Sequence, residues 1–386
     1  MSLRNQVSNI LEQFEAGRTF KRRIALAVSK SCSRNGRPEP PPRLAHLHYL
    51  HVEPSFLCNL QCQMCPRLVE GHKEGLMPPE RFERLVPLFP YLDAVVLTGF
   101  GEPCVNPHLH EFVAKISGAG ARPCMTTNGT LLDERRAKAL LDAGVQHVQF
   151  SIDAGTPQTY ERVRVGGKWD RVLRNAETFH KLARGGGYDV ETGWVFILLQ
   201  DTWRELPAAV ARARDLGFDL FTAKLLERNV LDFERCQEIH DEEGRLLVSP
   251  EEFQRVVSEA QSLAKKSGVR FVIHDFFMGE DGACLADPLH GAFVDWMGYV
   301  TPCCHLPVRS ESGVHPLHAF GNVDEEDILD ILGGRIATDF WKTWRSKRIP
   351  WVCRKCQQVR RLPDRNSYEL LAEIPRHDTC HLFKSL

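Results

Sequence analysis

Residues 56–66 read Phe-Leu-Cys-Asn-Leu-Gln-Cys-Gln-Met-Cys-Pro and place three cysteines, Cys58, Cys62 and Cys65, in one short loop. Their thiolates can therefore converge on a single metal centre. Three thiolates are one fewer than a closed tetrahedral zinc site or a four-thiolate iron–sulfur cluster requires. A centre bound here keeps one coordination position open for a group that is not protein, and an open position allows chemistry.

The Cys-x3-Cys-x2-Cys spacing after a predicted first strand resembles the signature of the radical S-adenosylmethionine (radical SAM) enzymes. The resemblance implies a [4Fe–4S] cluster bound by Cys58, Cys62 and Cys65, with SAM chelating the fourth iron. It also implies reductive cleavage of SAM to a 5′-deoxyadenosyl radical, driven by an external electron donor such as a flavodoxin or ferredoxin. The alternative is a structural zinc site that takes a fourth ligand from Cys104 or from one of the 16 histidines.

The overall composition is that of an ordinary globular protein. The 386 residues are 43% hydrophobic and 26% charged, and the formal net charge of -1 gives no overall field that would attract nucleic acid. The 13 cysteines are clustered, which suits metal thiolates in a reducing compartment better than disulfide loops. The chain contains no apolar run long enough for a membrane span or a signal peptide. We expect a cytoplasmic protein with no nucleic-acid partner and no membrane span.

From Leu44 onward, short apolar strands alternate with amphipathic helices, two of which are predicted at residues 78–91 and, with a break at Gly166-Gly167, at 157–183. Six strand–helix units predict an α/β fold, in which a parallel sheet closes partway into a (β/α)6 barrel. Right-handed crossovers place the functional loops of such a sheet at the C-terminal ends of its strands, and the triple-cysteine loop follows the first strand accordingly. The six strands are predicted at residues 47–52, 93–98, 122–126, 146–152, 189–198 and 219–226.

Small and polar residues at the ends of the next strands form a second candidate site. In the segment 99–103, Gly-Phe-Gly-Glu-Pro, the glycines allow a ligand close to the backbone, and carbonyls or the Glu102 carboxylate can accept hydrogen bonds from an ammonium group. In the resembled family, a Gly-Gly-Glu segment at this place binds the amino group of SAM. Polar residues after strands three and four suit a ribose and a carboxylate, although they also serve as helix caps. The candidate SAM contacts are Gly99, Gly101, Glu102, Pro103, Asn128, Ser151 and Asp153.

Further cysteines lie in the last third of the chain. Cys284 is followed after 13 residues by Gly298 and four residues later by Cys303, and Cys353 and Cys356 form a Cys-x2-Cys pair. This arrangement resembles the twitch form of the C-terminal SPASM domain, which implies one auxiliary [4Fe–4S] cluster on those four cysteines. By spacing alone, a zinc ribbon fits equally well. The roles of Cys304 and Cys380 stay open.

Three regions follow from these patterns. Residues 1–42 form an N-terminal helical extension with a Pro-rich linker, and residues 43–230 form the radical SAM core. Residues 231–386, with a helix at 250–266 and a strand at 269–275, form a Cys-rich α+β domain resembling SPASM or twitch domains.

The motifs bound the reaction but leave the substrate and any catalytic side chain unassigned. We expect oxidation or rearrangement of a small natural-product or sugar-like metabolite, because an auxiliary cluster can take an electron from a substrate radical. A radical SAM maturase that modifies a peptide is the alternative. The N-terminal extension has no predicted strands, unlike the winged-helix element of many peptide maturases, and this favours the small molecule. A non-catalytic zinc-binding protein is the rival of another class.

Overall fold

The computed structural model describes residues 37–68, 74–226, 239, 247–274, 288–306, 318–346, 348 and 350–353. Most of the predicted N-terminal extension and the cysteines Cys284, Cys356 and Cys380 lie outside these ranges. In the described part, the strands form one sheet in the order β10-β9-β8-β1-β2-β3-β4-β5-β6-β7. The strands are β1 Tyr49–Val52, β2 Ala94–Leu97, β3 Arg122–Thr127, β4 His147–Ser151, β5 Glu191–Leu198, β6 Leu220–Leu225, β7 Arg270–His274, β8 Gly291–Val294, β9 Tyr299–Thr301 and β10 Gly321–Asn322.

Helices connect the strands in alternation, and four of the nine α-helices in the described ranges begin after a residue whose side chain accepts a hydrogen bond from a backbone N–H group of the first turn. Asp133 and Ser249, for example, accept hydrogen bonds from the backbone N–H of Arg136 and Glu252. The α-helices of the described ranges are α1 Pro79–Glu83, α2 Leu109–Gly118, α3 Glu134–Asp142, α4 Pro157–Val163, α5 Trp169–Gly186, α6 Leu206–Leu216, α7 Pro250–Ser267, α8 Ile328–Gly333 and α9 Arg335–Arg345.

Strands β1 to β7 pair in parallel and in chain order, which confirms the predicted α/β fold with a parallel, partly closed barrel. The parallel series is longer than the six units expected from the sequence. Helix α7 and strand β7, which were predicted for the C-terminal domain, extend the barrel sheet, because β7 pairs with β6 from Leu220↔Arg270 onward. The C-terminal part then returns to the other edge, where β8 pairs in parallel with β1.

Each barrel strand presents one face to the helices and the other to the barrel interior. In β1, Leu50 and Val52 belong to the hydrophobic core between sheet and helices, whereas the intervening His51 lies on the opposite face. Tyr49, Ala94 and Cys124 form a buried cluster separate from the core beneath the helices.

Two predicted helices are interrupted. Pro87 and Pro90 lack the N–H groups that an α-helix over residues 78–91 needs, so α1 is short and a 3-10 helix follows over Val86–Tyr91. The predicted break at Gly166-Gly167 separates α4 from α5, and Gly166 has a φ of 89°, which favours glycine.

None of the helices in the described ranges is both long enough and apolar enough to span a membrane.

Candidate active site

The three cysteines of the first loop lie together in an apolar pocket beyond the C-terminal end of β1. Cys62 belongs to a buried cluster with Leu60, Met64 and other apolar side chains, and Cys58 and Cys65 pack against it. Burial raises the pKa of all three thiols, and neighbouring thiols add to this effect at Cys58 and Cys65, so that the pKa of Cys65 reaches about 11. A metal centre must therefore displace their protons, which a strongly cationic cluster can do.

The segment after α4 covers this loop from the outside. The backbone N–H of Gln61 donates to Val165 O at 2.9 Å, and that of Gln63 donates to Val163 O at 3.0 Å. The turn at Gly166 allows this segment to reach the loop before α5 begins. The cysteine loop is thus held by backbone contacts on one side and by the apolar pocket on the other.

The donor set fits a multi-iron cluster better than a single metal ion. In the described ranges, no three His, Cys, Asp or Glu side chains converge on a point where one metal ion could bind. A [4Fe–4S] cluster binds each thiolate at a different iron, so its ligands do not have to meet at one point. Cys104, considered as a fourth zinc ligand, is buried beside Glu102 and lies 3.7 Å from Thr127 Oγ1.

The glycines of segment 99–103 permit close packing between the β2 loop and the cysteine loop. A side chain on Gly99 would overlap Glu53, and one on Gly101 would overlap the backbone of Ser55. The backbone N–H of Glu102 also donates to Leu57 O at 2.8 Å. Pro103 begins a 3-10 helix over Pro103–Val105. The two loops therefore form one backbone surface beside the cysteines.

The Glu102 carboxylate is buried and already has several donors. It accepts hydrogen bonds from Thr127 Oγ1 at 2.6 Å, from the backbone N–H of Asn128 at 2.7 Å and from that of Cys104 at 3.0 Å. The carboxylate thus fastens the end of β2 to the end of β3. The sequence offered two kinds of acceptor for an ammonium group, the Glu102 carboxylate and the backbone carbonyls of segment 99–103. Because the carboxylate already accepts several hydrogen bonds, this arrangement favours the carbonyls.

Asn128 connects the end of β3 to the cysteine loop. Its side-chain Nδ2 donates to Asn59 Oδ1 at 3.0 Å and lies 3.8 Å from Cys58 Sγ. Its Oδ1 accepts from Thr130. Asn128 therefore belongs to the site, but its side chain faces the cysteine loop.

Asp153 differs from its expected role as a direct SAM contact. Its side chain is 0% exposed and is fully engaged: Oδ1 accepts from the backbone N–H of Ile197 at 2.8 Å, and Oδ2 accepts from Arg164 Nε at 2.8 Å and from Arg164 Nη2. In the described ranges it is the one residue other than glycine with a positive φ, 59°. Such strain persists only where surrounding contacts hold it.

Arg164 is a site residue that the sequence analysis missed. Its Nη1 lies 3.8 Å from Cys62 Sγ while its other nitrogens bind Asp153, so the carboxylate orients a buried cation toward a cysteine. No spacing rule indicates this contact, because 102 positions separate the two residues in the chain. The one signal is its place before Gly166-Gly167, where the chain must turn.

Glu53 and Asp295 form a second group that the sequence analysis missed. They follow β1 and β8, and burial raises the pKa of Glu53 to about 8 and that of Asp295 to about 7. Glu53 accepts a hydrogen bond from the backbone N–H of Phe100 at 2.9 Å. The signal available in the sequence was the position of Glu53 directly after an apolar strand and before a proline.

The remaining predicted residues belong to other elements of the fold. Ser151 ends β4 and is partly exposed on the interior side of the sheet. Cys303 and Cys304 lie in the turn after β9, where Thr301 Oγ1 donates to Cys303 O at 3.0 Å. Cys353 is buried in a short 3-10 helix over Trp351–Cys353. With Cys284 and Cys356 outside the described residues, the second cysteine group is described only in part.

Comparisons with known proteins give the family. Residues 52–199 match the family model of the radical SAM superfamily, and residues 284–357 match SPASM, an iron–sulfur cluster-binding domain. The tungsten-containing aldehyde ferredoxin oxidoreductase cofactor-modifying protein of Pyrococcus furiosus is 26% identical over 321 residues, which cover 79% of this chain and 83% of that protein.

A GTP 3',8-cyclase of Alkaliphilus oremlandii is 38% identical over 135 residues, which cover 33% of this chain and 41% of the cyclase, so this match spans less than half of that relative. Among solved structures, Streptococcus suis SuiB bound to precursor peptide SuiA superposes with a TM-score of 0.60 at 15% identity, over 86% of this chain and 76% of SuiB. That likeness shows the fold alone. The two family matches identify this chain as a radical SAM enzyme with a C-terminal SPASM iron–sulfur domain.

Proposed function

We propose that this enzyme oxidises or rearranges a small natural-product or sugar-like metabolite, with its SAM-binding cluster on Cys58, Cys62 and Cys65. The observation that carries the proposal is the apolar pocket in which the three thiols of one loop lie together. When bound, the cluster and SAM supply the radical that removes a hydrogen atom from the substrate.

The chain's own residues would bind the cluster and keep water away from it. The apolar side chains around Cys62 exclude water, while Asn128 and Arg164 place hydrogen-bond donors beside Cys58 and Cys62. Hydrogen bonds to the sulfurs of a cluster are among the factors that set its reduction potential. Reduction would come from an external flavodoxin or ferredoxin.

For SAM, we propose contacts at the ends of the neighbouring strands. The backbone carbonyls of Gly99 and Gly101 would accept hydrogen bonds from the ammonium group, with Glu102 and Pro103 holding that loop in place. The Ser151 hydroxyl is partly exposed toward the interior and suits the ribose. Asp153 would act through its orientation of Arg164. These roles are supported by the packing of the β2 loop against the loop that carries the cysteines.

For the C-terminal region, we propose one auxiliary [4Fe–4S] cluster on Cys284, Cys303, Cys353 and Cys356. Support comes from the SPASM match and from the hairpin β8–β9, whose turn contains Gly298 with a φ of 90°. In this scheme residues 231–386 carry the auxiliary site, although their first strand belongs to the barrel sheet. These four cysteines would hold the cluster, which when bound would supply an acceptor for the electron of a substrate radical.

The metal content tests the first half of the proposal. Protein reconstituted with iron and sulfide without oxygen should hold about eight irons per chain. Replacing Cys58, Cys62 and Cys65 with Ala should remove one cluster and abolish reductive SAM cleavage, whereas replacing Cys353 and Cys356 should leave part of that cleavage. Cys124→Ala, which removes a buried thiol elsewhere in the barrel, is the matched control. A colourless protein with two zinc ions and no SAM cleavage would contradict the proposal.

The substrate class needs a separate assay. Candidate metabolites labelled with deuterium are incubated with enzyme, SAM and reductant, and transfer of the label into 5′-deoxyadenosine marks a substrate. The second candidate is a peptide, which is favoured by the likeness of the fold to SuiB, a protein whose structure contains a precursor peptide. Label transfer from a peptide and from no metabolite would overturn the small-molecule proposal.

A further inference from the structure

One side chain sets the orientation of the peptide unit that joins Gly99 to Phe100. The backbone N–H of Phe100 donates to Glu53 Oε1 at 2.9 Å. A trans peptide unit is planar, and its C=O points in the direction opposite to its N–H. The described ranges contain no cis peptide bond. The carbonyl of Gly99 therefore points away from the Glu53 carboxyl.

The peptide unit between Gly101 and Glu102 is held by a backbone acceptor instead. The backbone N–H of Glu102 donates to Leu57 O at 2.8 Å, so the carbonyl of Gly101 points away from Leu57. Within the described residues, no hydrogen bond engages the carbonyl of Gly99 or that of Gly101. Both glycines are partly exposed. Their carbonyls thus stay available as acceptors for a ligand.

The strand ladder on both sides holds Glu53 in place. Its backbone N–H donates to Val294 O at 2.9 Å on the β8 side, and on the β2 side the backbone N–H of Thr98 donates to Val52 O at 2.9 Å. The Glu53 side chain is buried, and a Cβ atom on Gly99 would overlap its Oε1. The carboxyl is therefore a fixed support on which the loop after β2 packs.

The Glu53 carboxyl accepts this hydrogen bond mostly in its neutral form. Burial raises its pKa to about 8, the hydrogen bond from Phe100 acts in the opposite direction, and the charge of Asp295 raises the pKa further. A Gln side chain at this position is neutral, has the same size and keeps one acceptor oxygen. A Met side chain has nearly the same size but offers only a weakly accepting sulfur. The two substitutions therefore separate the hydrogen bond from charge and volume.

We propose that Glu53 is a positioning residue of the SAM site, whose carboxyl directs the carbonyl of Gly99 toward the ammonium group of SAM. This inference rests on the proposed function, which assigns the ammonium group to the carbonyls of this loop, and it adds the side chain that orients one of them. Glu53 acts through the peptide unit and does not contact SAM. An acceptor that is already oriented loses less conformational freedom when the ligand binds, so binding is tighter.

Equilibrium SAM binding to the reconstituted enzyme, measured without reductant, tests this role. We expect Glu53→Met to weaken SAM binding about tenfold or more, as the loss of one oriented hydrogen bond to an ammonium group implies. Glu53→Gln should restore the affinity of the wild type. If Glu53→Met does not fold, Glu53→Asp takes its place, because its carboxyl stands one methylene farther from Phe100.

Hydrogen exchange in the peptide that covers residues 97–103 reports the order of the loop directly. Exchange should be faster in Glu53→Met than in Glu53→Gln, with or without SAM. Glu191→Met is the matched control, because it removes a carboxylate from the N-terminal end of β5. This variant should lose stability and keep both the SAM affinity and the exchange rate of the wild type.

Two results would overturn the positioning role. Equal SAM affinity in Glu53→Met and Glu53→Gln would show that the acceptor oxygen does not matter for SAM. Equal loss of affinity in Glu191→Met would assign the effect to general destabilisation. A reconstituted wild type that binds no SAM would overturn the proposed function, and this inference with it, so the two failures are distinguishable.

Discussion

Two glutamates at opposite ends of the barrel, Glu53 buried and Glu191 partly exposed, show how differently the two ends use charge. Glu191, at the N-terminal end of β5, accepts a hydrogen bond from Arg270 at 2.6 Å and contacts His147 at 2.9 Å. Glu53, after the C-terminal end of β1, is 1% exposed and has only backbone N–H donors. The N-terminal end pairs its charges with one another, which serves stability. At the C-terminal end, the carboxylates of Glu53 and Glu102 have backbone N–H and hydroxyl donors, and no ion pair engages them within the described residues.

Arg164 is the exception at the C-terminal end, and removing it should have the largest effect on stability. Arg164→Met leaves the Asp153 carboxylate buried without its cation, which should lower the free energy of unfolding by about 3–5 kcal/mol. Urea denaturation measures this loss. Arg162→Met is the matched control, since Arg162 forms an exposed pair with Asp201 and should change stability by less than about 1 kcal/mol. Equal stability of the two variants would show that the buried pair contributes little.

The packing of the two loops predicts the next effect. In Gly101→Ala, the new methyl group would overlap backbone atoms of the cysteine loop. We therefore expect the free energy of unfolding to fall by about 1–3 kcal/mol and SAM to bind more weakly. Gly118→Ala, at the end of α2, has open space around the added methyl group and should change stability by at most about 1 kcal/mol. Chemical denaturation and equilibrium SAM binding check both variants. SAM affinity unchanged in Gly101→Ala would argue against a role of this loop in SAM binding.

The two glutamates should respond to pH in opposite directions, and Glu53 should respond more strongly. Burial raises its pKa to about 8, so the folded state holds a proton that the unfolded state releases above its ordinary pKa of 4.5. The resulting stability is complete below pH 4.5 and is lost as pH rises toward 8. Glu53→Gln should therefore be more stable than the wild type at pH 8.5, by about 3 kcal/mol. If Glu53→Gln is not more stable than the wild type at pH 8.5, the raised pKa is contradicted.

Glu191 should show the smaller and opposite effect. Burial acts to raise its pKa, but the hydrogen bond and charge of His147, with the guanidinium of Arg270, lower it to about 2. Its contribution is present above the unfolded pKa of 4.5 and is lost as pH falls toward 2. Glu191→Gln should reduce stability at pH 7 by about 2 kcal/mol and flatten the acid side of the stability profile. A profile identical to that of the wild type between pH 5 and pH 3 would count against this pairing.

Much of the barrel could be predicted from the sequence, because buried parallel strands are short apolar runs between helical segments. The six predicted strands agree with β1 to β6 within two residues at each boundary. The pairing of the seventh strand with β6 could not be predicted, because the charged, irregular residues 230–248 interrupt the sequence pattern before α7. The periodicity of apolar residues predicts which face of an element is buried, but it does not predict which strands lie beside it in the sheet.

The cysteines of the candidate site could be predicted because their chemistry depends on spacing along the chain. Contacts between segments that are distant in the chain could not be predicted. Asp153 forms its ion pair with Arg164 from a left-handed backbone conformation. The residue type Asp alone does not predict that conformation. The burial of Glu53 likewise depends on β8 pairing with β1, more than two hundred residues away.

The pairing of β8 with β1 ties the cysteine loop to the C-terminal region through the backbone. The backbone N–H of Glu53 continues that pairing by donating to Val294 O at 2.9 Å. Cutting the chain before residue 284 would strip a hydrogen-bonding partner from the strand that leads into the loop and leave an open edge prone to aggregation. The two iron–sulfur regions are therefore poor candidates for separate expression, and the spacing between their centres is a property of one continuous scaffold.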